Sequence, residues 1–238
     1  AAEKGEENLP YDFGTDFIDP RAFDIKLWQH CLREVLREQD AITSYGAHQG
    51  EEELRAALAE YSHNVRGVTA APERIVVGAG TQPLLTLVSP FIRELESAVG
   101  IESPGFPQAQ QIFSDCGIPF VLLPGDKDGI DMEGLFRSGV RVVYINPSNR
   151  LQSGTPIPMG RRTELLEWAQ RVNGLILEDD HNGELRYHAR PIPALQGIGN
   201  GDRVIYIGSF SKVLLPSVRI GYMVLPQKLA ERYAVNSK

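Results

Sequence analysis

The chain has 238 residues, 42% of them hydrophobic and 23% charged, and a formal net charge of -7. This composition is typical of a folded globular protein and excludes a disordered tail. Lysine and arginine are scattered rather than striped, which argues against nucleic-acid binding by these residues themselves, and no run approaches the roughly 18 apolar residues of a membrane span.

The first residues lack the charged-then-apolar pattern of a secretory signal, so we expect a cytoplasmic protein. The two cysteines, Cys31 and Cys116, have no CxxC or CxxH spacing, which gives little support to a disulfide framework or a zinc site. Because free cysteine tends to be buried, both are interpreted as core thiols.

Two amphipathic helices are predicted near the N-terminus. Apolar residues recur at helical spacing in residues 24–38, as Trp28, Cys31, Leu32, Val35 and Leu36, and in residues 50–63, as Leu54, Ala57, Leu58 and Tyr61. Between them, AITSYGAHQG has turn composition and carries Tyr45 into a loop. We expect an N-terminal arm and helix over residues 1–43 and one large domain over residues 44–238.

Short apolar runs alternate with helical patterns through the rest of the chain. The runs cover residues 74–77, 98–101, 120–123, 140–145, 175–177, 204–207 and 221–225. Helices are predicted from about Thr81, from about Pro107 and over residues 161–172; Pro90 should kink or end the first, because proline removes an amide donor. β-Branched runs separated by helices indicate an α/β fold with a mostly parallel sheet buried on both faces.

Ligands of such sheets bind beyond the carboxyl ends of the strands, and the first strand is followed by GAGTQP, residues 78–83. The glycines allow a tight turn, and the amides of Gly80, Thr81 and Gln82 would open a helix whose first turn attracts anions. The motif favours a phosphate seat, with a left-handed turn capped by Thr81 as the alternative. It lacks the GxGxxG spacing of a dinucleotide site.

Aromatic and acidic residues follow two later strands. ESPGFPQ presents Phe106, whose ring would stack on a planar ligand or lie half-buried in its loop. EDDHNGE brings three acids, of which Asp179 would face a cationic ligand group, unless the segment is a solvated turn or a helix cap. A metal site is weakly supported, because His181 is the only neighbouring nitrogen ligand.

SFSKVLLPSVR, residues 209–219, places Lys212 directly after a strand. Its amine is a useful nucleophile if burial or a nearby cation such as Arg219 keeps it uncharged, and Ser209 and Ser211 add hydroxyls. The alternative is a solvated surface lysine. An amine, an acid, an aromatic ring and a phosphate seat are together the groups that pyridoxal 5'-phosphate needs.

With these motifs in this order, the sequence resembles fold-type I pyridoxal-phosphate proteins, the aspartate aminotransferase superfamily. The resemblance rests on SYGAHQGEEELRAALAEY, IVVGAGTQ, SPGFP, INPSNRLQSGTPIP, ILEDDHNGEL and IGSFSKVLLPSVRIGYMVLP, from residue 44 to residue 226. RPIPALQ followed by RVIYIGSFSK is most similar to MocR-type (GabR-like) bacterial transcription regulators. In those proteins an aminotransferase-like domain follows a winged helix-turn-helix DNA-binding domain.

The resemblance implies a role for each motif residue. Lys212 would form the internal aldimine, Asp179 would pair with the pyridinium nitrogen, and Phe106 would stack on the ring. The amides of Gly80 and Thr81, with Ser209 and Arg219, would hold the phosphate, and Gln82 and Ser211 would be further cofactor-binding residues. Tyr45 would reach the phosphate of a partner subunit, so the resemblance also implies a homodimer.

Some positions depart from the family pattern. Leu151 replaces an asparagine that touches the cofactor's O3', and His181 stands where GabR-like proteins place a tyrosine, so an imidazole would be the donor there. Asn149 and Arg150 replace a His-Gln pair and are candidate effector contacts, with a surface arginine as the alternative for Arg150.

Relatives of this kind also have a DNA-binding domain and a small C-terminal domain, so we expect this chain to be the large cofactor domain of a longer protein. The favoured function is the effector-sensing domain of a MocR-type regulator, in which bound pyridoxal phosphate responds to an amino-containing effector and DNA is bound through the winged-helix domain. The alternatives are an aminotransferase acting on an amino acid and a binding module without the cofactor. Neither a metal nor a membrane partner is expected.

Overall fold

The computed structural model describes residues 21, 23–38, 43, 45–95, 98–150, 153–181, 183, 192–199 and 201–236. The helices are α1 (Ile25–Val35), α2 (Glu52–Arg66), α3 (Thr81–Arg93), α4 (Pro107–Asp115), α5 (Met132–Arg137), α6 (Met159–Arg171), α7 (Leu195–Ile198) and α8 (Gln227–Asn236). The strands are β1 (Ile75–Gly78), β2 (Val99–Glu102), β3 (Phe120–Leu123), β4 (Gly125–Asp126), β5 (Gly129–Ile130), β6 (Val142–Ile145), β7 (Leu175–Asp179), β8 (Val204–Ser209) and β9 (Gly221–Val224). None of these helices is long and apolar enough to cross a bilayer.

Seven of the described strands form a central sheet in the order β1-β9-β8-β7-β6-β2-β3, and β4 pairs with β5 in a separate hairpin. Strands β8, β7, β6, β2 and β3 are parallel, whereas β9 runs antiparallel to both β1 and β8. The predicted mostly parallel α/β sheet is therefore confirmed, and each predicted apolar run overlaps one strand of this sheet. The reversal of β9 could not be predicted, because an apolar run carries no direction.

Helices cover both faces of the sheet, as its continuous apolar strands require. On one face α3 and α4 contribute to a core that contains Ile101, Tyr144, Leu177 and Ile207. On the opposite face α6 contributes Leu165 and Trp168 to a core that contains Val143 and Ile176. A third core cluster joins α2 to β1, β8 and β9. The sheet is thus fixed from both sides, and its carboxyl edge is left for loops.

Helix α1 forms as predicted, but its apolar face is not used as a core surface. Asp24 caps it by accepting the amides of Lys26 and Leu27 at 3.1 and 3.0 Å. None of its residues is buried, and Cys31 is exposed, so the interpretation of Cys31 as a core thiol is wrong. Cys116 is half-buried and packs against the core beside α3 and α4.

Helix α2 also forms as predicted, but a different stripe of it is buried. The buried residues are Leu58, Ser62 and Arg66, four positions apart, whereas Leu54 is exposed. The prediction used apolar residues alone and therefore assigned Leu54 to the buried face. It could not assign Ser62 and Arg66 to that face, because both are polar. Arg66 is buried because it has a buried acidic partner, described below.

Pro90 does not end helix α3, which continues to Arg93. The residues that follow the proline, Phe91 and Ile92, are both buried. Burying two large apolar side chains gains about 3–6 kcal/mol, whereas a proline in a helix interior costs about 3 kcal/mol. The sequence predicts that Pro90 kinks or ends the helix; the ending is wrong because packing outweighs the lost amide donor, and the kink stays a prediction.

Candidate functional site

The carboxyl ends of β1, β2, β6, β7 and β8 border one cleft of about 640 Å³. Because β9 is antiparallel, it begins at the same edge, where Gly221 pairs with Gly78 of β1 and with Ser209 of β8. The predicted site residues that line the cleft are Thr81, Gln82, Phe106, Asn149, Arg150, Asp179, His181, Ser209, Ser211, Lys212 and Arg219. The fold thus brings together residues that are widely separated in the sequence.

The three consecutive acids at the end of β7 are all buried, so the interpretation of this segment as a solvated turn is wrong. Neighbouring strand residues point to opposite faces of a sheet, and the partners of the three acids follow that alternation. Asp179 contacts Tyr144 and lines the cleft, whereas Glu178 and Asp180 find their partners on the other side of β7.

Glu178 and Asp180 each form an ion pair with an arginine. Glu178 caps α7 by accepting the amides of Leu195 and Gln196 at 2.8 and 3.0 Å, and its carboxylate lies 3.8 Å from Arg162. The helix-cap alternative therefore applies to Glu178. Asp180 accepts from Nε of Arg66 at 2.5 Å. Neither carboxylate lines the cleft, so Asp179 is the acid of this segment that a ligand there would contact.

Asp179 is hydrogen-bonded by neutral donors. The Tyr144 hydroxyl donates to its Oδ2, and the His181 amide donates to its Oδ1 at 3.1 Å. Burial raises the pKa of Asp179, against the effect of these two bonds. Burial also raises the pKa of Tyr144 well above its usual range, so its hydroxyl keeps its proton. A buried carboxyl whose two hydrogen-bond donors are neutral, and whose pKa the nearby His181 lowers, would be stabilised further as an anion by a cationic ligand group in the cleft.

Gly80 and Arg219 meet beside β1 and β9; Arg219 lines the cleft, whereas the predicted site residue Gly80 is buried and is not part of the lining. Gly80, with φ 95°, is the residue before α3, so the alternative in which Thr81 caps the helix is wrong. A Cβ atom on Gly80 would lie 2.8 Å from Nη2 of Arg219, and one on Gly221 would lie 2.9 Å from Cα of Gly80. Only glycine allows this approach. It sets the first-turn amides of α3 next to a guanidinium, which is a strong arrangement for binding an anion.

Lys212 is half-buried in a turn that directly follows β8, so it is not the solvated surface lysine of the alternative. Phe210 anchors this turn. Its carbonyl accepts the amides of Val213 and Leu214 at 3.2 and 2.8 Å, and its ring lies 5.2 Å from that of Tyr61. The amine is therefore attached to a well-fixed strand end.

Two serines connect the turn of Lys212 to Arg219. The hydroxyls of Ser209 and Ser211 are 3.1 Å apart, and Nη1 of Arg219 lies 3.5 Å from the Ser211 hydroxyl. Arg219 has a left-handed backbone with φ 55°. This conformation costs a non-glycine residue about 1–3 kcal/mol and is concentrated at functional sites.

Phe106 precedes α4 at the opposite wall of the cleft. It is half-buried, lines the cleft and packs against the core beneath α3 and α4. The half-buried arrangement is therefore confirmed, and stacking of the ring on a planar ligand stays a prediction. Gln82 and Asn149 are exposed at the rim, and the amide of Asn149 is bonded by the side chain of Asn146 at 3.0 Å.

Arg150 is buried, so the surface-arginine alternative is wrong. Its guanidinium contacts Oε1 of Glu102 through Nη2 at 2.6 Å and through Nε at 3.0 Å. It also donates to the carbonyls of Lys127 and Asp126, each at 2.8 Å. Arg150 therefore ties the β4–β5 hairpin to the end of β2. These protein groups occupy the guanidinium, and an effector contact by Arg150 stays a prediction.

Two further predicted positions lie away from this cleft or outside the described residues. Tyr45 is fully exposed and does not line the cleft, and its contact with a partner subunit stays a prediction. Leu151 lies outside the described residues. Within the described ranges, no group of three or more His, Cys, Asp or Glu side chains is arranged to hold a metal ion.

The sequence reasoning missed Tyr144 and Arg66. Tyr144 stands in the apolar run of β6, where a buried tyrosine hydroxyl needs a partner, and this need was the available signal. Arg66 ends α2, where a basic residue is ordinary because it complements the helix dipole. Its role depends on Asp180, 114 residues away in the sequence. No local signal could have revealed that pairing.

Comparison with known proteins gives a consistent result. Residues 21–237 match the family of aminotransferases of class I and II. The chain is 37% identical over 232 residues to an uncharacterized HTH-type transcriptional regulator, YdeL, of Bacillus subtilis, covering 97% of this chain and 50% of that protein. It is 34% identical over 237 residues to the probable rhizopine catabolism regulatory protein MocR of Rhizobium meliloti, covering 98% and 48%.

Among solved structures, an archaeal alanine:glyoxylate aminotransferase superposes with a TM-score of 0.82 at 26% identity, covering 92% of this chain and 56% of that one. The chain spans about half the length of the two curated regulators that it matches. The similarity to both regulators extends over almost the whole chain, in agreement with the resemblance predicted from the motifs.

Proposed function

Because the chain belongs to the aminotransferase class I and II family, we propose that it binds pyridoxal 5'-phosphate and senses an amino-containing effector as part of a MocR-type transcription regulator. The observation that carries this proposal is the position of Asp179. It is a buried carboxyl, bonded by neutral donors, in the same cleft as Lys212 and Arg219.

The residues of the cleft fit this cofactor group by group. A protonated pyridine nitrogen is the cation that a carboxyl in the environment of Asp179 would stabilise. The phosphate matches the N-terminus of α3, the guanidinium of Arg219 and the two linked serine hydroxyls. Phe106 offers a ring face, and Lys212 offers the amine to which the aldehyde attaches.

When bound, the cofactor supplies an electrophilic carbon that an amino compound can attack. The residues of the chain would then act as follows. Asp179 keeps the ring nitrogen protonated, and Tyr144 holds the Asp179 carboxylate in one orientation by donating to it. Lys212 would hold the cofactor through its amine and would offer that amine as a proton acceptor or donor once freed. Arg219 keeps the phosphate in place.

The regulatory role is supported by the two HTH-type regulators that match nearly the whole chain. An effector controls such a protein only if it binds two conformations with different affinities. In the proposed arrangement the longer protein is a homodimer that binds DNA through a winged-helix domain. Tyr45, exposed on one subunit, would complete the phosphate site of the other.

The test uses the full-length protein, purified with pyridoxal phosphate. The wild-type protein should show a visible absorbance band of the bound cofactor that borohydride reduction removes, and the cofactor should then remain attached on denaturation. Lys212→Ala should lose the attachment, while Lys228→Ala, at an exposed lysine of α8, should keep it. A cofactor-fed wild-type protein without the band would refute the proposal.

An amino compound that shifts the band and changes DNA binding is the expected behaviour of a regulator. The alternative, an aminotransferase, rests on the same cleft and on the structural similarity to an aminotransferase. Sustained multiple-turnover amino transfer by the full-length protein would establish that alternative. The effector screen should therefore record both the spectral shift and the amount of product formed.

A further inference from the structure

Buried charges of both signs meet behind the cleft at the end of β7. Three of them are acids, Glu178, Asp179 and Asp180, and two are arginines, Arg66 and Arg162, and all five are buried. Buried charges are costly unless they are paired. Two arginines can pair with two of the acids, so the arrangement leaves a single unmatched carboxyl.

Asp180 is the most completely bonded of the three acids. Arg66 donates to it through Nε at 2.5 Å and through Nη2 at 3.2 Å. The Tyr206 hydroxyl donates at 2.8 Å, and the Ser148 hydroxyl donates to its Oδ1. Arg66 also donates to Ser148 at 2.7 Å. These groups come from α2, β8 and the loop after β6, and they fix the backbone next to Asp179.

We propose that Arg66 and Asp180 are a positioning pair, which cancels the charge of Asp180 so that Asp179 alone sets the electrostatic field on the ring nitrogen of the cofactor. This inference rests on the proposed function, since it concerns the same cleft. The pair does not line the cleft, and it acts through Asp179 rather than on a ligand directly.

The sequence shows why such a pair is needed. Asp180 follows Asp179 immediately, so an unpaired carboxylate there would add a second negative charge close to the ring nitrogen. The proximity of Asp180 also raises the pKa of Asp179. A second negative charge would therefore change the proton affinity of both the acid and the bound cofactor.

Other ionisable groups face the pair and are common to all the variants below. Glu178 and Arg162 lie on the same side of β7, and Tyr144 and His181 contact Asp179 on the other side. Burial raises the pKa of Glu178 to about 7. Because these groups are unchanged in every variant, a difference in pH midpoint between a variant and the wild type measures the effect of the Arg66–Asp180 pair.

The test is the pH midpoint of the visible absorbance of the cofactor bound to the full-length protein. Arg66→Met leaves the charge of Asp180 uncancelled, which favours the protonated cofactor and should raise the midpoint by about 1 pH unit. Asp180→Asn leaves Arg66 uncancelled and should lower it by about the same amount. The double variant should return within about 0.3 unit of the wild type. Opposite shifts from the two partners are not expected from simple structural damage, which would move both in the same direction.

The exposed pair Arg232–Glu94 provides the control. Arg232→Met and Glu94→Gln should leave the midpoint unchanged.

If a single buried variant fails to fold, three other variants test the inference: the double variant, Arg66→Lys and Tyr206→Phe. All three preserve the charge balance of the pair and should stay within about 0.3 unit of the wild type. A full-unit shift in any of them, or equal shifts in both single variants, overturns the inference. Absence of the band in the wild type instead overturns the proposed function, and the inference with it.

Discussion

Gly80 and Arg219 meet at the carboxyl edge of the sheet so closely that a Cβ atom on Gly80 would stand 2.8 Å from Nη2 of the arginine. Both residues have positive φ angles, 95° and 55°. The helix N-terminus and the guanidinium are thereby held side by side before any ligand arrives. Such preorganisation of the backbone reduces the cost of binding an anion, because the first-turn amides of α3 are already in place.

Gly80→Ala should weaken pyridoxal phosphate binding by about 10-fold or more, because the added Cβ atom displaces the guanidinium of Arg219 from the N-terminus of α3. The backbone strain that it also adds, about 1–3 kcal/mol, should lower the free energy of unfolding rather than the affinity. The measurement is a titration of the apoprotein with the cofactor and, separately, with inorganic phosphate. Gly139→Ala is the matched control. Gly139 also has a positive φ, 69°, but its Cβ would meet nothing within 4 Å. Gly139→Ala should therefore lower the free energy of unfolding and leave the affinity for the cofactor and for phosphate unchanged. Equal affinity losses in both variants would contradict the assignment.

Arg150→Met should destabilise the protein by about 3 kcal/mol, because it leaves the carboxylate of Glu102 without its partner and removes the donors of two carbonyls. Denaturant unfolding of the apoprotein measures the loss. The control is Arg137→Met, which breaks the exposed Arg137–Glu133 pair and should cost about 1 kcal/mol or less. An unchanged stability with weaker effector binding would instead favour an effector contact by Arg150.

The strands and their chemically active ends were predictable because both are local. A buried parallel strand has a continuous apolar run in its sequence. The residues at its carboxyl end are the next ones in the chain, so they can be named without the structure. Asp179 and Lys212 were found in this way, and the cleft contains both. The turn at Gly80 was predictable for the same reason, since a helix cannot start next to another chain segment so closely without glycine.

What the sequence could not supply were pairings over long separations. Arg66 and Asp180 are distant in the chain, and each looks ordinary in its own segment. The exposure of Cys31 could not be predicted either. An apolar helix face has the same sequence pattern whether it packs into the core of its own chain or contacts another chain. Burial and partner choice are properties of the packed molecule, whereas an apolar period belongs to the sequence.

Glu178 should make the protein less stable as the pH rises. Burial raises its pKa to about 7 from an ordinary value of 4.5, so the folded state favours the protonated form. The stabilising contribution is complete below about pH 4.5 and is lost as the pH rises through 7, at about 1.4 kcal/mol per pH unit. The difference in unfolding free energy between the wild type and Glu178→Gln should follow this fall. Glu167→Gln, at an exposed acid on α6, is the control for replacing a glutamate by glutamine.

The loss of unfolding free energy in Tyr144→Phe should increase with pH, opposite to the effect expected for Glu178. It removes a donor that stabilises the ionised form of Asp179, and so raises the pKa of that carboxyl further. The penalty, about 1.5–3 kcal/mol where Asp179 is charged, should shrink as the pH falls and the carboxyl is protonated. Unfolding of the apoprotein at several pH values measures it. Phe113→Leu, which alters the ring that packs 6.1 Å from Tyr144, should cost the same at every pH. A pH-independent loss in Tyr144→Phe would refute the bond to the carboxylate.

The exposed apolar face of α1 should contact a second copy of the chain in the proposed homodimer. Leu32 and Val35 lie on this face and are 44% and 52% exposed, although their spacing is that of a packed helix surface. An interface core of this kind excludes charge. Val35→Glu should therefore shift the full-length protein from dimer toward monomer in sedimentation velocity. Arg33→Glu, on the opposite face of α1, changes the charge but not the apolar stripe and should leave the dimer intact. Dimers that persist equally in both variants would place the subunit contact elsewhere.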